Sequence, residues 1–254
     1  MNRALLIGIN YINCPPNTLN GCWNDAYNIH RFLSSKGMKP SQIRLMTDEG
    51  GNKGTPNWPT AENIKIAMTS FIASGVVGDK LIFSYSGHGG LLPNKNGQEL
   101  SGFDECIYGC DLEKIIDDDL RKILIDSLKE GVQLRCVLDC CHSGTGLDLP
   151  YLYTIPEGLI KEEKNLPLGD RDVVCISACL DIETAADAYI NKTYQGALTS
   201  HLLQAMKNKK LPDQWRWCDF LTVLKYHVIK DGYKQTPQIS FFSENAHIKN
   251  FDFV

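Results

Sequence analysis

Residues 132–143, VQLRCVLDCCHS, constrain this chain more than any other stretch. Val132, Leu134, Cys136, Val137 and Leu138 make a short apolar run that suits a buried strand. The run breaks into Asp139, Cys140, Cys141, His142, Ser143 and Gly144. Small and polar residues after a buried strand mark its carboxyl end, where open α/β sheets hold their ligands. A second run, Leu81, Ile82, Phe83, Ser84 and Tyr85, ends the same way in Ser86-Gly87-His88-Gly89-Gly90. Two strands therefore deliver polar tips, one with thiols and one with an imidazole. That is the raw material of a nucleophile and its base. The glycines beside His88 let backbone pass close to a substrate and aim its N–H groups inward. Neighbouring strand residues point to opposite faces, so of Cys140 and Cys141 one faces a cleft and the other the packing. Residue type alone does not say which.

The rest of the chain alternates strand and helix signals. Residues 4–9, ALLIGI, form a first strand. A helix follows from Gly21-Cys22-Trp23-Asn24-Asp25-Ala26 to about Lys36, with Tyr27, Ile29, Phe32 and Leu33 on one stripe. A strand is expected at 43–46, and a helix at 61–73 with Thr60 as its N-cap. After the histidine strand come a polar excursion at 91–102, a short strand at 105–108 and a helix at 117–128. After the cysteine strand, residues 147–171 read as a surface linker centred on Lys161, Glu162, Glu163 and Lys164. A strand at 173–177, helices at 196–206 and 218–228, and a last strand at 238–242 complete the pattern. Strands alternating with helices predict an α/β fold, a mostly parallel sheet flanked by helices on both faces. At 254 residues, one domain with a sizeable core is expected.

Bulk properties exclude several classes of function. The net charge is −4 and no basic run occurs, so no nucleic-acid surface is expected. No apolar stretch reaches the roughly 20 residues of a membrane helix, and residues 4–9 are too short for a signal peptide. Ten cysteines without a secretion signal fit a reducing, cytoplasmic setting. Most of them read as buried small hydrophobes. The C-x3-C pairs 106/110, 136/140 and 175/179 fall in apolar, strand-like contexts rather than on loops, which argues against a zinc site.

YSGHGG and DCCHSGT, in that order and with His88 and Cys141 53 residues apart (141 − 88), resemble the catalytic blocks of the metacaspases. These belong to the caspase-like clan of cysteine peptidases. ALLIGINY with GCWNDA, GxDECIYGCD and SACLDIETAADA match further blocks, and the resemblance runs from the first residues to the strand at 237–240. It implies a caspase-like fold with a large-subunit-like part (1–150), a linker (about 151–171) and a small-subunit-like part (172–254). The short linker is similar to type I members. Many metacaspases carry a prodomain before the first strand, and this sequence leaves no room for one.

The resemblance also implies roles. Cys141, immediately before His-Ser-Gly, is the nucleophile and His88 the base, and the N–H groups of Gly89 and Cys141 form the oxyanion hole. His142 lies behind the dyad. Asp25 and Asp139, with Cys22 and Ser86, line a pocket for Arg or Lys, since a buried cation requires a carboxylate partner. Peptide or protein substrates with Arg or Lys before the scissile bond are thus the expected partners of a monomeric endopeptidase. Asp25 could equally cap its helix. Asp104, Asp117, Asp118 and Asp148 stand at calcium-binding positions, calcium being the expected activator. Without the resemblance, the Asp triplet at 117–119 reads as a solvated helix start. Lys161 and Lys164 are expected self-cleavage sites. The usual SGC-x-D-x-QTSADA block departs at Ala178, Glu183 and Ala185. That departure motivates the alternative of a catalytically weak binding or regulatory module.

Overall fold

The computed structural model describes residues 1–93, 103–143, 146–161, 171–179, 187–190, 193–207 and 215–254. Eight strands form the central sheet. In chain order they are β1 (Arg3–Gly8), β2 (Ile43–Thr47) and β3 (Lys80–Ser86), then, past a small three-stranded sheet of β4 (Gly89–Pro93), β5 (Phe103–Tyr108) and β6 (Lys114–Ile116), β7 (Gln133–Asp139), β8 (Tyr151–Thr154), β9 (Gly158–Lys161) and β10 (Asp172–Ser177). After the hairpin of β11 (Asp187–Ile190) and β12 (Thr193–Gly196) comes β13 (Gln238–Phe241). The spatial order is β2-β1-β3-β7-β10-β13-β8-β9. The first five strands run parallel, and β13, β8 and β9 each pair antiparallel with their neighbours.

Helices cover both faces. On one lie α2 (Ala61–Ala73) and α3 (Asp117–Arg121, continued by a π-turn over Lys122–Asp126). On the other lie α1 (Cys22–Ser35), α4 (Ala197–Lys207) and α5 (Trp217–Lys230). Strand alternation divides the residues between the two cores. Leu81, Phe83, Tyr85, Leu134, Cys136, Leu138 and Cys140 pack towards α2 and α3. Ile82 and Val137 pack towards α1, α4 and α5. Ser86 and Asp139 share the parity of Ile82 and Val137, so their side chains address α1 and α4 at the carboxyl edge. Thr60 caps α2 as expected, its hydroxyl accepting from the Asn63 N–H at 3.2 Å.

The segment read as a surface linker begins differently. Residues 151–161 are a β8–β9 hairpin that extends the main sheet beyond β13. Tyr151, Leu152 and Thr154 are buried, giving this edge an apolar footing that the charged tail following it obscures in sequence. Lys161 is the last residue of β9 and pairs with Tyr151. Lys164, like Glu183 and Ala185, lies outside the described residues.

Candidate active site

The parallel β3–β7 ladder sets the geometry. Its last pair is Ser86 with Asp139, so two residues further along each chain stand His88 and Cys141. The two tips meet closely: a Cβ on Gly89 would sit 2.0 Å from the Cys141 carbonyl oxygen, so only glycine allows the approach. Cys140 points into the core, 2% exposed, and burial pushes its thiol well above the ordinary range, keeping it neutral. Cys141 is half-exposed at the edge.

His88 is held from three sides. Its Nε2 lies 2.7 Å from the Asn17 carbonyl oxygen. A carbonyl only accepts, so Nε2 carries the hydrogen and the neutral ring keeps its lone pair on Nδ1. The His88 N–H donates to the Tyr11 hydroxyl at 2.9 Å, and the Tyr85 hydroxyl donates to the His88 carbonyl at 2.8 Å. Burial pushes both phenols well above their usual value, so they stay protonated. The Tyr11 ring packs on the imidazole with centroids 4.5 Å apart. Tyr108 donates its N–H to the His88 carbonyl at 3.3 Å, which makes Gly89 and Ile107 a non-hydrogen-bonded pair of the β4–β5 ladder. The Gly89 N–H is thereby directed away from β5.

Strain concentrates here. Among the described residues, the non-glycine positions with left-handed backbone are Tyr11, Leu112, His142 and Asp148. Tyr11 stacks on His88, His142 follows Cys141, and Asp148 belongs to the acidic cluster below. Such conformations persist only where surroundings over-determine them.

Of the four residues expected to line the pocket, Asp25, Ser86 and Asp139 come together on the α1 and α4 side, and Cys22 lies one turn before Asp25 on α1. Cys22, Asp25, Ser86 and Asp139 are all buried. Asp25 does not cap its helix; it lies in the first turn, with Gly21 as the cap. Its carboxylate accepts from the Ser86 hydroxyl at 2.7 Å and from the Gly196 N–H at 2.9 Å. Asp139 accepts from the Thr199 N–H at 2.8 Å. A Cβ on Gly196 would lie 2.1 Å from Asp139 Oδ2 and 2.9 Å from Asp25 Oδ2, so both carboxylates flank that α-carbon. They meet the first N–H groups of α4, where the helix dipole favours anions.

On the other side, Glu105, Asp117 and Asp148 are buried and bring one carboxylate oxygen each within 4.8 Å of one another. Burial, followed by the charge of Asp148, raises Asp117 to about 6. Its oxygens accept the Glu105 and Asp118 N–H groups, each at 2.7 Å. Buried clustered carboxylates suit a hard, oxygen-seeking cation. Asp117 and Asp148 were expected here. Asp104 and Asp118 are not in the trio, which Glu105 completes. Glu105 is 3% exposed and Asp104, its neighbour on β5, is half-buried. Asn17, Tyr11, Gly196 and Thr199 carried no sequence signal for the roles that their backbone or ring takes here.

A mostly parallel sheet, covered on both faces and presenting cysteine and histidine from adjacent strand tips, defines an α/β protein of caspase-like fold. The profile described as metacaspase, peptidase C14 domain, matches residues 2–150. Metacaspase-1 of Meyerozyma guilliermondii is 31% identical over 305 residues, covering 99% of this chain and 72% of that protein. Metacaspase-1 of Cryptococcus neoformans is 43% identical over 289 residues, covering 94% of this chain and 62% of that protein. A crystal structure of a protein from Geobacter sulfurreducens shares the fold, with a TM-score of 0.67 and 22% identity over 100% of this chain and 98% of that one. The chain belongs to the metacaspase family, peptidase C14, a family of cysteine peptidases. Among the described residues, no helix is long and apolar enough to cross a membrane.

Proposed function

We propose that this chain is an endopeptidase that cleaves after Arg or Lys, with Cys141 as nucleophile and His88 as general base. The observation that carries the reading is the β3–β7 register, which presents His88 and Cys141 side by side with Asn17 fixing the ring tautomer. His88 Nδ1 takes the Cys141 thiol proton, and the thiolate adds to the scissile carbonyl. The N–H groups of Gly89 and Cys141 receive the oxyanion. The imidazolium then returns the proton to the leaving amine, and water hydrolyses the thioester with His88 again as base.

Asp25 and Asp139, with Cys22 and Ser86, take the guanidinium or ammonium of the substrate. Glu105, Asp117 and Asp148, with Asp104 and Asp118 beside them in the chain, would hold calcium. Bound there, calcium supplies positive charge that lets three buried carboxylates ionise together and ties β5, α3 and the chain after Cys141 to one another. Self-cleavage falls at the end of β9 or in the charged segment after it, at Lys161 or Lys164. Lys161 must unpair from Tyr151 before it can enter the cleft.

Hydrolysis of Arg- and Lys-ended fluorogenic peptides, with and without calcium, tests the reading. Cys141→Ala and His88→Ala are each expected to lose at least about a thousandfold in rate, while Cys140→Ala retains most of it. Full activity in Cys141→Ala, or a library profile led by Asp, would overturn it.

A further inference from the structure

The dyad has a neighbour that the proposed mechanism does not use. A cavity of about 300 Å³ opens beside it, lined by Asn17, His88, Gly89, Tyr108 and Leu112. That volume is at the lower end of the range, roughly 300–1,000 Å³, over which pockets take small ligands. Its position relative to the sheet is informative. Asp25 and Asp139 lie on the α1 and α4 face, in the parity of Ile82 and Val137. Tyr108 and Leu112 pack against the core on the α2 and α3 face. His88 and Cys141 stand at the carboxyl edge between the two.

A peptide crossing that edge has its scissile bond at Cys141. If the side chain before the bond enters the acidic pocket on one face, the chain after the bond leaves over the other. The leaving amine takes its proton from His88 and so passes beside that ring. The residue carrying this amine then lies against the cavity that His88 itself helps to line. Resting on the peptidase reading above, we infer that the cavity is the subsite for the residue immediately after the scissile bond, and that it selects an uncharged apolar or aromatic side chain.

The lining decides the chemistry. Tyr108 contributes an aromatic face and Leu112 an isobutyl group. Among the described residues, no Asp, Glu, Lys or Arg lines the cavity, so a charge placed there would be desolvated with none of them as a partner. A basic side chain would also oppose the charge that His88 gains during the reaction. Leu112 is held in a left-handed conformation, φ 60°, in the tight turn where its N–H donates to the Gly109 carbonyl at 2.9 Å. A leucine rarely adopts that backbone, and here the conformation sets its side chain on the cavity wall.

The test is a series of internally quenched peptides with Arg before the bond and Gly, Ala, Leu, Phe, Asp or Lys after it, the cut position read by mass spectrometry. Leu and Phe are expected to exceed Gly in kcat/KM by about tenfold or more, the discrimination a few apolar groups give in a fitted pocket. Asp and Lys are expected to fall below Gly. In Leu112→Ala, with folding checked by its melting temperature, the Leu-to-Gly ratio is expected to shrink severalfold. Should that variant not fold, the wild-type series decides alone. Cleavage after Arg with equal rates across the series, or a Leu112→Ala ratio equal to wild type, overturns the subsite and leaves the peptidase reading standing. Failure to cut any peptide of the series overturns both.

Discussion

Two groups of buried acids lie on opposite faces of the sheet near its His88 and Cys141 edge, and they differ in their surroundings. Asp25 and Asp139 are met by donors: the Ser86 hydroxyl and the Gly196 and Thr199 N–H groups at the start of α4. Glu105, Asp117 and Asp148 bring three carboxylates together, and although Asp117 accepts two N–H groups, burial and the charge of Asp148 raise it to about 6. The first pair is stabilised as anions before any substrate arrives, so it is suited to wait for a cationic side chain. In the second group a proton or a metal ion would relieve the repulsion between neighbouring carboxylates.

The strongest way to break this comparison is to remove charge from the first group while keeping its acceptor. Asp139→Asn still offers an oxygen to the Thr199 N–H, so its melting temperature should stay close to wild type. Losing one partner of a desolvated charge pair costs about 2–5 kcal/mol, at least about thirtyfold in kcat/KM for Arg peptides. Steady-state kinetics with parallel thermal melts decide. If Asp139→Asn loses stability and keeps its kcat/KM, the carboxylate is merely a cap for α4 and the pocket argument falls.

A smaller effect is expected when calcium is given to the second group. Measured on Cys141→Ala protein to prevent self-cleavage, calcium at about a hundred times its dissociation constant should stabilise the fold by about 2.7 kcal/mol. For a domain of this size that is a rise in melting temperature of several degrees. Asp117→Asn should abolish most of the rise, and Asp139→Asn should leave it intact. A calcium-induced rise that survives Asp117→Asn and disappears in Asp139→Asn would reverse the assignment of the two groups.

The smallest effect concerns pH without any metal ion. Asp117 is raised in the folded state from an ordinary 3.8 to about 6. Between these values the native protein binds more protons than the unfolded chain, so stability falls as pH rises. The contribution is present in full below about 3.8 and is lost as pH passes through about 6. Thermal melts from pH 4 to 7 should show a steeper decline for the Asp117 protein than for Asp117→Asn, both on the Cys141→Ala background with chelator. Parallel curves would show that burial does not perturb Asp117 as the geometry requires.

Much of this molecule is legible from local order. Short, mostly apolar runs ending in glycine or small polar residues determined the strands and which ends carry the polar residues, because buried strands are chiefly apolar and the sheet opens at their tips. Alternation determined that one of Cys140 and Cys141 is buried. The motif spacing, through its resemblance to a family, assigned His88 and Cys141. Contacts between distant segments were decided only in three dimensions. The tautomer of His88 depends on a carbonyl 71 residues away in sequence at Asn17. The Asp25 carboxylate finds its donor 171 residues away at Gly196. Backbone groups are the same in every residue, so a sequence cannot announce which carbonyl or N–H will be recruited. That the Glu105 carboxylate meets Asp117 and Asp148 depended on how β5 pairs with β4 and β6, which so short a segment leaves open in sequence. The β8–β9 hairpin stayed hidden for a related reason: its four-residue strands carry too little pattern alone, and only the edge of β13 gives them a place to pair.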